Sequence, residues 1–300
     1  MPRRKHGLDI HGVLLLDKPA GISSNQALQK ARHLLKARKA GHTGSLDPFA
    51  TGMLPICLGE ASKTAAFMME AGKSYRATAV VGQATRTGDT EGDVIQELPV
   101  PACSAEQVGT VLARFLGIQE QVPPMYSALK HQGQPLYRLA RQGVTVERKA
   151  RQVTLHRVDL ICWEPPILTF EVDCSKGTYI RTLAEDICSA MGSCGYLRAL
   201  RRISVEPFEA ASMVSLAELE HAVSAGSWQD LLLPLDAGIA HWPSVRLEPA
   251  QMDRFSHGNA VLARGEPGWV RVFSQQGEIL GLGWINDQGE LLPKRIFVLN

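Results

Sequence analysis

Between Gly41 and Gly52 the chain reads Gly-His-Thr-Gly-Ser-Leu-Asp-Pro-Phe-Ala-Thr-Gly, and this stretch restricts the fold more than any other. Its glycines admit positive φ and close backbone approach, so it is best read as an ordered loop. Pro48 disfavours the right-handed helical region for Asp47, which is therefore extended or in a turn. Asp47 is the one carboxylate in the stretch, with His42, Thr43 and Ser45 just ahead of it. A loop that fixes one carboxylate is a plausible catalytic device. A tight surface turn with an Asx-type hydrogen bond is the alternative on local chemistry.

Around this loop the pattern is that of a mixed chain. Gly12 to Leu16 reads as a buried strand, ended by the turn Asp17-Lys-Pro-Ala-Gly21. Ser23 or Ser24 caps a helix to about Lys36, with Ala27, Leu28, Ala31, Leu34 and Leu35 at helical spacing. Its other face is basic, and the glycine loop follows at once, so helix and loop are expected to be neighbours. Strand texture returns at Met53–Leu58 and Ser74–Gly82, with a helix predicted over Glu60–Glu70 between them. Thr85–Gly92 is polar and turn-rich and reads as an exposed loop. Ser104 with Gln107 forms a capping box that opens a helix to about Leu116. Residues 121–151 are long, basic and broken by prolines, which suits a binding loop. Strands are predicted at Arg151–Cys162 and Ile167–Cys174, helices at Tyr179–Met191 and Leu216–Ala225. Leu197–Ile203 is short and basic.

The texture changes near Trp242. A short strand and a helix to Ser256 precede brief strands separated by turn signals at Glu266-Pro-Gly, Gln276-Gly and Asn286-Asp-Gln-Gly. The chain therefore divides into residues 1–241, an α/β domain of the α+β type, and residues 242–300, a small β module. A module of that size is marginal alone and should lean on the larger domain.

With 45% hydrophobic and 21% charged residues the chain has an ordinary globular composition. It lacks the run of roughly 18 apolar residues that a membrane helix needs. Val13–Leu16 is too short for a signal-peptide core, so a cytoplasmic location is expected. Six cysteines are scattered without a C-x-x-C pair, which argues against a zinc ribbon and a disulfide framework. The net charge of +2 does not announce a nucleic-acid binder, but its distribution does more. Basic residues cluster at 30–39, 130–157 and 198–202, a footprint for a polyanion if they share a face. Solvated helix faces, balanced by Asp89, Glu91, Asp93 and Glu97, are the alternative. The phosphate loop, dinucleotide fingerprint, zinc-protease motif and nucleophile elbow are all missing, so no metal or cofactor is expected and the chemistry falls to side chains.

Five blocks carry a resemblance: Gly12-Val-Leu-Leu-Leu-Asp-Lys-Pro-Ala-Gly-Ile-Ser-Ser, the glycine loop, Lys73-Ser-Tyr-Arg-Ala, Pro123-Pro-Met-Tyr-Ser-Ala-Leu-Lys and Cys174-Ser-Lys-Gly-Thr-Tyr-Ile-Arg-Thr-Leu. In that order they resemble the bacterial tRNA pseudouridine synthase B family over about residues 10–205, and the β module looks like that family's PUA-type RNA-binding domain. The resemblance implies isomerisation of uridine 55 in the T loop of tRNA to pseudouridine. It implies base flipping, an antiparallel-rich mixed sheet, no cofactor or metal, and a monomer whose partner is the T-arm stem-loop. Position by position, Asp47 matches the catalytic aspartate and Arg181 the arginine that pairs with it. His42, Tyr75, Tyr179 and Leu200 match positions that contact the flipped-out RNA. The isomerisation needs neither a redox change nor a group donor, in keeping with the missing cofactor motifs. The Tyr75 hydroxyl could also assist removal of the C5 proton. Without the resemblance, core tyrosines and a structural loop histidine are the plainer readings.

Overall fold

The computed structural model describes residues 7–208 and 213–299. From the N-terminus the elements are β1 (Gly12–Lys18), α1 (Ser24–Leu34), β2 (Ala40–His42), β3 (Thr51–Leu58), α2 (Ala65–Glu70) and β4 (Lys73–Val81). There follow β5 (Gln83–Thr85), β6 (Val94–Glu97), α3 (Ala105–Ala113), β7 (Gly117–Gln121), β8 (Lys130–His131), β9 (Gln134–Pro135) and α4 (Leu136–Arg141). The larger domain closes with β10 (Arg151–Glu164), β11 (Ile167–Cys174), α5 (Ile180–Ala190), β12 (Gly195–Val205) and α6 (Leu216–Ala225). Among the described residues eight strands form one sheet in the order β1-β3-β12-β4-β11-β10-β7, with β2 also on β3. Neighbours are antiparallel except β3 and β12, which run parallel.

Alternation along β4 and β11 decides which face is covered. Tyr75, Ala77, Ala79 and Val81 stand in line with Val172, Phe170 and Leu168, and all are buried. α3 and α5 cover that face through Val108, Leu112, Ile180, Leu183, Ala184 and Ile187. The opposite face of the same strands is polar, with Arg76 bonded to Glu171 at 2.7 Å and Arg157 to Asp173 at 2.7 Å. An antiparallel sheet with one wet face tolerates this.

At the other end of the sheet, β1 and β3 are apolar on both faces. One face packs on α1 and α6 through Leu14, Leu16, Leu54, Ala27, Leu28 and Leu219. The other, carrying Val13, Leu15 and Met53, meets Met68, Ile239, Leu282 and Phe297. Leu282 belongs to, and Phe297 directly follows, a five-stranded sheet, β13 (Ser244–Leu247), β14 (Val261–Leu262), β15 (Gly268–Ser274), β16 (Ile279–Ile285) and β17 (Glu290–Ile296), with α7 (Pro249–Ser256) beside it. Phe67 stands edge-on to Trp242 and Trp269, with centroids at 4.7 and 5.1 Å, and helps fasten this module to the larger domain.

Two expectations change. The helix predicted over residues 60–70 is a 3-10 turn (Gly59–Lys63) followed by α2. The Thr64 hydroxyl donates to the Ala61 carbonyl at 2.8 Å, a local bond that competes with helical continuation. The basic run near 197–203 lies within β12, a central strand, where register shifts at Leu197/Ala199 and Arg202/Ser204 and the inward-facing Arg202 break the apolar alternation that would have marked it. No helix among the described residues is long and apolar enough to cross a membrane.

Candidate active site

The glycine loop connects β2 to β3, and the residues on either side of Asp47 are each tied down. The Ser24 hydroxyl accepts from the Leu46 N–H at 2.7 Å and donates to the Leu46 carbonyl at 3.0 Å. The Pro48 carbonyl accepts from the Gly21 N–H at 2.9 Å and from the Lys18 ammonium at 3.2 Å. Lys18 is fully buried and also donates to the carbonyls of Pro19 and Ile22, at 2.8 and 2.6 Å. Burial lowers its pKa to about 8, against the opposing pull of Asp47. Asp47 accepts the Ala50 N–H at its own carbonyl, 3.1 Å away. The carboxylate thus projects from a backbone clamped on both sides.

Its partner comes from the first turn of α5. Arg181 presents a fork, Nε at 2.9 Å from Asp47 Oδ2 and Nη2 at 3.2 Å from Oδ1. Nη2 also donates to the Tyr126 carbonyl at 2.7 Å, and Nη1 to the Thr87 carbonyl at 2.9 Å. Behind the guanidinium lies a second carboxylate, Asp89, at 3.4 Å. The side chains of Arg181 and Asp89 are 4% and 3% exposed, whereas that of Asp47 is 36% exposed. Burial raises the Asp47 carboxyl above its ordinary range; Arg181 opposes that shift and Asp89 adds to it.

Asp89 corrects the reading of residues 85–92 as an exposed loop. Thr85 and Asp89 are both buried. The Thr87 hydroxyl and the Glu91 N–H, the latter at 3.0 Å, bond to the Asp89 carboxylate and fold the segment inward. Polarity signals exposure only while no buried cation needs a counter-charge. The sole local hint was the Thr-x-Asp-x-Glu spacing, which suits an Asx-type turn.

Asp47, Tyr75, Tyr179, Arg181 and Leu200 share one cleft of about 380 Å³, the scale of a small-molecule pocket. Tyr75 is the third residue of β4, with its ring buried, and burial raises its hydroxyl above the ordinary value while Arg202 opposes. Leu200 sits on β12 opposite Ala77. Tyr179 precedes α5, and Gln121 holds its backbone from both sides: the Tyr179 N–H donates to Gln121 Oε1 at 2.7 Å, and Gln121 Nε2 donates to the Tyr179 carbonyl at 2.9 Å. His42 is not among the residues lining the cleft. It ends β2, half-buried, and burial followed by the charge of Arg202 lowers its pKa.

The third basic cluster divides. Arg202 is buried beneath the loop, where it donates to the carbonyls of Met53 at 2.7 Å and Gly44 at 3.1 Å. Arg201 makes a two-pronged pair with Asp17, at 3.0 and 2.7 Å. Arg198 remains at the surface. Among the described residues no group of three or more His, Cys, Asp or Glu side chains converges in a way that could hold a metal ion.

Three family models align with consecutive parts of the chain: the N-terminal domain of TruB family pseudouridylate synthase over residues 32–180, the tRNA pseudouridylate synthase B C-terminal domain over 181–240, and the C-terminal region of pseudouridine synthase II TruB over 243–297. A tRNA pseudouridine synthase B of Nitrosococcus oceani is 50% identical, with 98% of this chain and 97% of the relative covered. Its counterpart in Pseudomonas aeruginosa is 48% identical, with 96% of each covered. Among solved structures, a chain of a Cbf5–Nop10–Gar1 complex superposes with a TM-score of 0.74 at 24% identity, covering 96% of this chain and 85% of that one. A chain of an H/ACA ribonucleoprotein bound to a substrate RNA gives 0.73 at 20% identity, covering 100% and 92%, so the fold is shared where sequence has diverged. From full-length identity of this order and matching models along nearly its whole length, the chain belongs to the TruB family of pseudouridylate synthases.

Proposed function

We propose that this enzyme, a tRNA uridine isomerase by family, acts on uridine 55 in the T loop and that Asp47 is its catalytic group. One observation carries the residue assignment: Asp47 alone of the two carboxylates on Arg181 opens into the cleft. The reaction breaks the bond from C1′ to N1, turns the uracil and joins C1′ to C5; N1 gains a proton and C5 loses one. Asp47 supplies the ionised carboxylate, as nucleophile at sugar or base or as a base toward a sugar proton. Arg181 keeps it charged and aimed. Tyr75 and Tyr179 offer rings to a flipped uracil, worth roughly 1–3 kcal/mol for a stacked base. The Tyr75 hydroxyl takes part in removing the C5 proton, Leu200 packs against the base, and His42 contacts RNA beside it. Extruding the base costs a few kcal/mol, which phosphate contacts offset. Residues 242–300 form the RNA-binding module.

Pseudouridine mapping on a T-arm stem-loop tests both parts. Wild-type protein should convert uridine 55, and Asp47→Asn should lower product formation by at least about 10²-fold with affinity within tenfold. Product from Asp47→Asn at the wild-type rate would overturn the role of Asp47. Conversion of a different uridine would overturn the assigned position.

A further inference from the structure

Arg151 opens β10, opposite Gln121, on the rim of the cleft that holds Asp47. Its guanidinium carbon lies 4.8 Å from the centroid of the Tyr179 ring. Among the described residues it makes no hydrogen bond and no ion pair, and its Nε is buried without an acceptor. Its neighbours differ. Arg181 serves two carboxylates, Arg201 is paired with Asp17, Arg157 with Asp173, and Arg202 is bonded to two carbonyls. The Arg151 guanidinium therefore carries hydrogen-bonding capacity that the described residues do not use, and an acceptor from outside the chain can take it up. Gly177 runs alongside: a β-carbon there would lie 3.5 Å from Arg151 Nη1, so glycine leaves that edge uncovered.

Such an acceptor has a definite chemistry. Uracil is neutral, and the anions that accompany a nucleotide within a chain are its flanking phosphates. An arginine held over an aromatic ring still has N–H groups for two phosphate oxygens, a combination that lysine does not reproduce. We propose that Arg151 is a substrate-positioning residue: it supports the Tyr179 ring while its free N–H groups hold a phosphate flanking the target nucleotide. The inference rests on the reading above, in which a polynucleotide enters this cleft.

The test compares wild type, Arg151→Ala and Arg151→Lys on stem-loop RNAs that are unmodified or carry one uncharged methylphosphonate, either 5′ or 3′ to the target uridine. Turnover of the unmodified RNA by wild type reads the proposed function independently. Arg151→Ala should raise KM by about 10–100-fold, the scale of a charged hydrogen bond, with kcat changed far less. Its slope of log KM against log salt should be shallower by about one, and Arg151→Lys should restore that slope without restoring KM. On one of the two methylphosphonate RNAs the difference between wild type and Arg151→Ala should vanish. An unchanged salt slope, or an equal difference on all three RNAs, would overturn the phosphate contact and leave Arg151 as a support for Tyr179 alone.

Discussion

Arg181 serves two carboxylates unequally, and that asymmetry sets the behaviour of the site. Asp89 is sealed behind the guanidinium, so it fixes the cation without competing for substrate. Asp47 meets the same cation through a two-point contact and still faces the cleft. Lysine keeps the charge but loses the fork, so Arg181→Lys should lower kcat by about 10–100-fold, with RNA affinity measured in parallel and little changed. In the proposed role the ionised carboxylate is the active form, and burial raises its pKa above the ordinary 3.8. Activity is therefore expected above that raised value and lost as pH falls through it. Asp89 contributes to the shift, so Asp89→Asn should move the acid limb of the kcat/KM profile to lower pH. A limb that stays in place would show that Asp89 does not tune Asp47.

At the scale of elements, the site depends on the parallel crossing of β3 and β12 at Gly52 and Arg202. Gly52 has φ near +100°, and a β-carbon there would lie 2.2 Å from the Arg202 carbonyl oxygen. This contact sets the Asp47 loop beside the strand that carries Leu200. Gly52→Ala should cost about 1–3 kcal/mol from backbone conformation alone, before the clash is counted. Thermal unfolding should show it as a Tm lower by several degrees, accompanied by lost activity. An unchanged Tm would mean that the two strands separate without penalty. Ser24 shows how the local code extends into tertiary structure. Ser23 caps α1 and its neighbour Ser24 clamps Leu46, so one dipeptide starts the helix and anchors the loop that carries Asp47.

On the scale of the molecule, positive charge is shared between structure and surface. Arg201, Arg202 and Arg157 are committed to internal partners, whereas Lys30, Lys36 and Lys39 near the loop, and Lys130, Arg138, Arg141 and Lys149 in the 121–151 segment, are exposed. If these exposed groups meet phosphates, log affinity for a T-arm stem-loop should fall linearly with log salt, by roughly 0.7–0.9 per phosphate neutralised. Filter binding from low to physiological salt measures the slope, and a flat response would remove RNA from this surface. The β module stays attached through Leu282 and Phe297 against β1 and β3, so its removal would expose the apolar face those strands now bury.

Local rules carried the sequence far: the capping box at Ser104, a serine cap ahead of α1 and the strand texture of β4 and β11 were all legible, whereas the capping box at Ser215 was missed. Proline at 48 with the surrounding glycines marked the loop, and the ordered motif blocks marked the family. How distant positions meet was not legible from local rules: the pairing of Arg181 with Asp47 came only from the family resemblance, and the other long-range contacts came from neither. Arg181 and Asp47 are 134 residues apart, Arg202 and Gly44 are 158, and the burial of Lys18 and Asp89 follows from those meetings. Periodicity describes how a segment meets an apolar core. It carries no signal for a polar loop that turns inward because a buried cation needs a second anion, and only the tertiary structure decides that.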